Sequence, residues 1–117
     1  WIESNGFKFL HLGDTGYTKD FLDIKNTLGK VDLVAIPIGA YKPRDIMKFS
    51  HLNPKEAVKT FIDLEARKAV AMHWGTFILS QESVDAPKKD LKMNLEKFGI
   101  ELEDFFVLKH GETINLK

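Results

Sequence analysis

Three short apolar runs, spaced so that helical stretches fit between and after them, constrain the fold of this chain more than any other feature. They are FKFLHL at 7–12, DLVAIPI at 32–38 and KAVAMHW at 68–74. Each is strand-length rather than helix-length and is bounded by Gly, Pro or polar residues. After the first run, Phe21, Leu22, Ile24 and Leu28 recur at helical spacing, with Thr18 as the expected N-cap and Gly29 as the stop. After the second, a loop of about a dozen residues precedes Asn53, Pro54 and Glu56. These three read as an N-cap, a proline at the first helical position and the far member of a capping box. The helix they open has Val58, Phe61, Ile62 and Leu64 as its expected apolar face. After the third run, Pro87 opens a helix carrying Leu91, Leu95 and Phe98, and Gly99 closes it. The tail FFVLKHGETINL, 105–116, reads as two short strands about a turn at Lys109, His110 and Gly111.

The resulting order, β-α-β-α-β-α-β-β, argues for an α/β layered sheet in one domain over residues 1–117, with no internal repeat or linker. Right-handed crossovers point the first three strands the same way. Their carboxyl ends then share one edge, which is where open α/β sheets bind ligands.

Composition narrows the chemistry available at that edge. The absence of cysteine excludes disulfides, thiolate catalysis and Cys-based zinc sites, leaving His, Asp and Glu for any metal. Seventeen basic residues balance seventeen acidic ones, so no net field draws the chain to nucleic acid. No apolar run approaches the roughly 20 residues of a membrane span, and no signal peptide is recognisable. A cytoplasmic or peripheral-membrane location is expected. The first residue is Trp1 rather than methionine, which favours a piece of a longer product.

Three unusual segments fall at the shared edge: Gly13-Asp14-Thr15-Gly16-Tyr17, Gly39 to Arg44, and His73-Trp74-Gly75-Thr76. Asp14 is either a turn aspartate bonded to nearby backbone or a metal-ligating carboxylate whose flanking glycines let backbone approach an ion. His73 has the same two readings, as a packed imidazole or a ligand. His51, just before the Asn53 cap, is either an exposed loop residue or an imidazole beside an anion at a helix N-terminus. Arg44 could clamp an anion, and Tyr41 and Trp74 either line a pocket or cover the core. His11 is expected to be packed, and His110 exposed.

The words that carry these residues are GDTGY at 13–17, IPIGAYKPR at 36–44, HLNPKEAV at 51–58 and AMHWGTF at 71–77. In order and spacing they resemble the C-terminal half of a metallo-β-lactamase-fold hydrolase, in the branch of the N-acylphosphatidylethanolamine-hydrolysing phospholipases D. The resemblance covers residues 9–79, and HWGTF together with GAYxPR is its most specific part. It implies half of a four-layer αββα sandwich with two Zn²⁺ ions at one edge of the complete site. Asp14 matches the carboxylate that bridges both metals, and His73 the histidine that completes the second. His51 matches a non-ligand histidine beside the reacting centre, and Tyr41, Arg44 and Trp74 are the expected substrate-binding residues. The implied reaction is hydrolysis of a lipid phosphodiester by a metal-bridging hydroxide.

The family's HxHxDH signature, which supplies most of its metal ligands, is absent from this chain. Two matched ligands fall short of the three that a catalytic zinc usually takes from protein. The chain alone is therefore expected to bind little zinc and to be inactive, its partner being a missing N-terminal half or a complementing chain. One sheet face should then be exposed, or covered by a second copy in a homo-oligomer. The alternatives are a non-catalytic α/β association module, or a lactonase-type hydrolase of the same fold.

Overall fold

The computed structural model describes residues 1–116. Its centre is a five-stranded sheet in the order β1-β2-β3-β4-β5. Strands β2 (Phe7–His11), β3 (Leu33–Pro37) and β4 (Lys68–Met72) are the three apolar runs, and they pair in parallel as the crossover argument requires. In register, Leu10, Val34 and Ala69 lie side by side, so one periodicity of two runs across all three strands.

Two strand assignments differ from expectation. A first strand, β1 (Ile2–Ser4), pairs antiparallel with β2 through a turn at Asn5-Gly6. Both turn residues have positive φ, 51° and 79°, the requirement of a two-residue hairpin whose twist matches its strands. The Asn-Gly pair is thus a sequence signal for a strand that the hydrophobic pattern alone passes over. At the other end the expected terminal hairpin does not form among the described residues. Only β5 (Phe105–Phe106) is a strand, and it pairs in parallel with β4. The turn at Lys109 does form, with the Glu112 amide donating to the Lys109 carbonyl at 2.9 Å. Phe105 is fully buried and takes its ladder from β4, so the chain leaves as an edge of the main sheet and residues 109–113 run over exposed surface.

Helices α1 (Asp20–Leu28), α3 (Pro54–Asp63) and α4 (Ala86–Phe98) occupy the expected positions, and a single turn, α2 (Arg44–Met47), lies within the loop after β3. The capping box of α3 is complete: the Glu56 amide donates to Asn53 Oδ1 at 2.8 Å, and the Asn53 amide to Glu56 Oε2 at 3.3 Å. At α1 the cap residue is Lys19, with no side-chain cap; Thr18 Oγ1 instead accepts from the Asp20 amide at 3.2 Å. The Gly99 stop of α4 is left-handed, at φ 69°.

The helices bury one sheet face. Leu10, Val34, Ile36, Ala69, Ala71 and Phe105 from the strands meet Phe21, Ala57, Val58, Phe61, Leu91 and Leu95 from the helices in one core. Leu22, Leu28, Ile62 and Phe98, expected on buried helix faces, are exposed. Each helix presents only a stripe to the sheet, and these four lie just outside it. The opposite sheet face carries Phe9, Leu33, Val70, Met72 and Phe106, all only half-buried. Exposed Phe7 also lies on it, as does His11, which was expected to be packed but is exposed.

Candidate metal centre

The parallel register of β2, β3 and β4 brings their carboxyl ends together, and the segment leaving each has an unusual backbone. After β2, the Leu12 amide still bonds to Ala35, but Gly13 turns at φ 61° and lifts Asp14 out of the sheet, its side chain 66% exposed. After β4, His73 is itself at φ 60°, an uncommon conformation for a residue with a Cβ. After β3, Gly39 runs so close to β4 that a Cβ there would sit 2.1 Å from the His73 carbonyl oxygen. The small residue lets the ends of β3 and β4 converge at the His73 backbone.

His73 Nε2 and Asp14 Oδ1 are 3.6 Å apart, longer than a hydrogen bond. His51 comes from a different element, the loop between α2 and α3. Its ring stacks on that of His73, with centroids 5.3 Å apart and planes 22° from parallel. One ligand atom from each of Asp14, His51 and His73 lies within 4.8 Å of the others. The Nδ1 atoms of both histidines are buried without a hydrogen-bond partner. Buried polar atoms are rarely left so, and imidazole nitrogens beside a carboxylate are a donor set suited to zinc. Asp14 and His73, read from the sequence at the sheet edge, and His51, read before the α3 cap, therefore converge on one point with donors of the kind a metal ion takes.

The remaining candidates are placed differently. Arg44 is engaged by protein: its guanidinium reaches Glu56 and the carbonyls of His51 and Tyr41. Tyr41 is buried with its hydroxyl donating to Asp90, and burial followed by that bond pushes its phenol well above the usual range. Trp74 is half-buried and lines a groove of about 420 Å³ that begins at His73 and continues past Phe77 and Leu79 to His110. His110 is exposed, as expected, and shares a 3.1 Å hydrogen bond with Thr76.

One residue at this edge had no sequence cue. Glu82 is only 8% exposed and accepts from the Tyr41 amide at 3.1 Å and the Lys42 amide at 3.0 Å. Burial opposes its ionisation, but hydrogen bonds from Ser80 and from backbone amides outweigh it and hold its carboxyl below the usual glutamate value. It ties the loop after β3 to the loop after β4. No spacing rule pairs residues 41 and 82, so only the fold could reveal this link.

This geometry is accompanied by clear kinship. The Beta-lactamase superfamily domain matches residues 1–74. The chain belongs to the metallo-β-lactamase superfamily. Among its relatives is an N-acyl-phosphatidylethanolamine-hydrolyzing phospholipase D, mitochondrial, from Saccharomyces cerevisiae, 48% identical over 74% of this chain and 19% of its own length. A second phospholipase D of that name, from Caenorhabditis elegans, is 38% identical over 90% of the chain and 30% of its own length. A metal-dependent hydrolase from Thermococcus onnurineus is 32% identical over 98% of the chain and 44% of its own length. The chain thus spans less than half the length of each of these relatives. A solved metallo hydrolase from Ignicoccus hospitalis shares the fold, with a TM-score of 0.65 at 23% identity over 97% of this chain and 42% of that one. Among the described residues no helix is long and apolar enough to cross a membrane.

Proposed function

We propose that this chain forms part of a zinc-dependent phosphodiesterase that cleaves N-acylated phosphatidylethanolamine, with Asp14 and His73 among its metal ligands. The observation that carries the reading is the convergence of Asp14, His51 and His73 on one point at the carboxyl edge of the sheet. The names of the yeast and nematode relatives supply the substrate class. Asp14, exposed on its glycine turn, has two oxygens free to be shared between cations, and His73 offers a ring nitrogen beside it. Bound zinc would supply Lewis acidity, offsetting charge on the phosphoryl oxygens and acidifying water. The ligands that complete such a site come from outside residues 1–117, since the chain has only four histidines and no HxHxDH.

His51 has a separate role in this reading. In it His51 holds or passes a proton at the leaving oxygen of the diester, the step that releases the N-acylethanolamine, and its stacking on His73 from another element supports the role. The groove beginning at His73, with Trp74, Phe77 and Leu79 on its walls, accepts an apolar part of the substrate. The half-exposed sheet face is where the rest of the protein packs.

The test uses the full-length protein with N-acylphosphatidylethanolamine in mixed micelles. Zinc-dependent release of N-acylethanolamine is expected, with Asp14→Asn and His73→Ala lowering both zinc content and turnover, and His51→Ala lowering turnover at unchanged zinc content. Hydrolysis of a lactone but not of the phosphodiester would overturn the substrate class. Full zinc loading in both ligand variants would overturn the ligand assignment.

A further inference from the structure

Arg44 has the chemistry of an anion clamp, yet its guanidinium is already occupied by protein on both sides. Nη2 lies 2.9 and 2.8 Å from the two oxygens of Glu56, while Nη1 donates to the His51 carbonyl at 3.0 Å and the Tyr41 carbonyl at 3.3 Å. Both side chains of the ion pair are largely covered, at 29% and 28% exposure. Drawing the guanidinium onto a substrate phosphate would strand the Glu56 charge and two carbonyls, so the pair resists being opened.

The same contacts fix one particular peptide. The His51 amide donates to the Met47 carbonyl at 2.9 Å, and its carbonyl accepts from Arg44. Both ends of His51 are thus held by the single turn of α2. Glu56 is in turn fixed by the capping box that starts α3, so Arg44 joins α2, His51 and the first turn of α3 into one unit. Among the described residues no hydrogen bond orients the His51 ring: its buried Nδ1 has no partner, and it stacks on His73. Where the ring can sit therefore depends on where this held backbone places its Cα–Cβ bond.

We infer that Arg44 is a positioning residue for His51, locked to Glu56 and the His51 carbonyl, and is not a substrate-binding residue. This rests on the reading above that His51 works at the reacting centre. The bidentate ion pair supplies rigidity, and the proton chemistry belongs to the imidazole it holds.

Three variants of the full-length protein test the inference: Arg44→Met, Arg44→Lys and Glu56→Gln. Glutamine is itself a capping-box residue, so Glu56→Gln keeps the start of α3 while loosening the guanidinium. With bis(p-nitrophenyl) phosphate as substrate, kcat should fall about 10- to 100-fold in Arg44→Met and Glu56→Gln, the scale of a misplaced catalytic group, while KM stays within about twofold. Arg44→Lys, which cannot reach the carboxylate and both carbonyls together, should rescue only part of the loss. In metal-free protein the His51 ring signals should shift in both Arg44→Met and Glu56→Gln, and the nuclear Overhauser contact between the His51 and His73 rings should weaken. A large rise in KM with kcat intact in Arg44→Met, together with normal or tighter substrate binding in Glu56→Gln, would make Arg44 a substrate ligand and overturn the inference. So would His51 ring signals unchanged in both variants. Should Arg44→Met fail to fold, Glu56→Gln decides by the same readouts. The ring measurements need no turnover, so a protein without phosphodiesterase activity would refute the proposed function while leaving the positioning role to be judged on its own.

Discussion

Replacing Gly39 with alanine is the sharpest single perturbation of the candidate centre. The added Cβ would lie 2.1 Å from the His73 carbonyl oxygen, 3.2 Å from its carbon and 3.4 Å from the Trp74 Cα. All three are backbone atoms, so no side chain can rotate away. To reach even a tight contact of 3.0 Å the ends of β3 and β4 must separate by nearly 1 Å. That movement stretches the adjoining Ile38 amide to Met72 carbonyl bond, now 3.1 Å, beyond useful length. Overpacking of a well-packed site costs about 1–3 kcal/mol and the lost hydrogen bond about 1 more, giving a destabilisation of about 2–4 kcal/mol. Because the contact is with His73 itself, the same displacement moves the imidazole away from Asp14. Urea denaturation followed by circular dichroism measures the first effect, and zinc titration of the full-length protein the second. Gly13→Ala is the control: its Cβ meets nothing within 4 Å, so it carries only the penalty of φ 61°, about 1–2 kcal/mol. If Gly39→Ala unfolds at the same urea concentration as the native protein and binds zinc equally well, the close approach of the strand ends is not what holds His73.

Two further outcomes concern titration. The chain has two tyrosines, and both should resist ionisation: Tyr17, hydrogen-bonded to Asp63 and partly buried, is pushed up to about 12, and Tyr41 is also raised. A raised value means the stabilisation is fully present below the unfolded tyrosine pKa of about 10 and is lost as pH rises through the folded one. Absorbance at 295 nm should therefore show little phenolate in native protein at pH 11, and two ionised tyrosines there would refute both hydrogen bonds. Glu82 has the opposite sign. Its depressed value contributes stability above 4.5 that is lost as pH falls through the folded pKa. Thermal melts between pH 6 and 3 should show a steeper decline in the native protein than in Glu82→Gln, and parallel curves would remove Glu82 from the loop linkage.

How much of this was readable before folding depends on the range of the interaction. The capping box at Asn53 and Glu56 involves residues three apart, and it forms as read. The glycine stops after α1 and α4 are equally local. The terminal hairpin failed because a turn specifies that two segments can meet, whereas Phe105 found a better partner in β4 across 35 residues of sequence. The faces of the helices were read too broadly for a similar reason: periodicity marks Ile62 and Phe98 as apolar, but the width of the stripe is set by what packs on it.

The sequence by itself determined the strand and helix alternation, the parallel crossovers and hence the gathering of GDTGY and HWGTF at one edge. Backbone geometry and chain handedness act over a few residues and leave little else to choose. Only the tertiary structure decided what meets at that edge. His51 stacks on His73, and an arginine seven residues before it bonds both the His51 carbonyl and Glu56 of the next helix. The Tyr41 hydroxyl meets Asp90 and the Arg44 guanidinium meets Glu56, partners 49 and 12 residues away. Asp14 and His73, nearly sixty residues apart, come within 3.6 Å at an edge where Gly39, on a third segment, lies against the His73 carbonyl. Such contacts depend on the packing of distant segments, which no local pattern encodes.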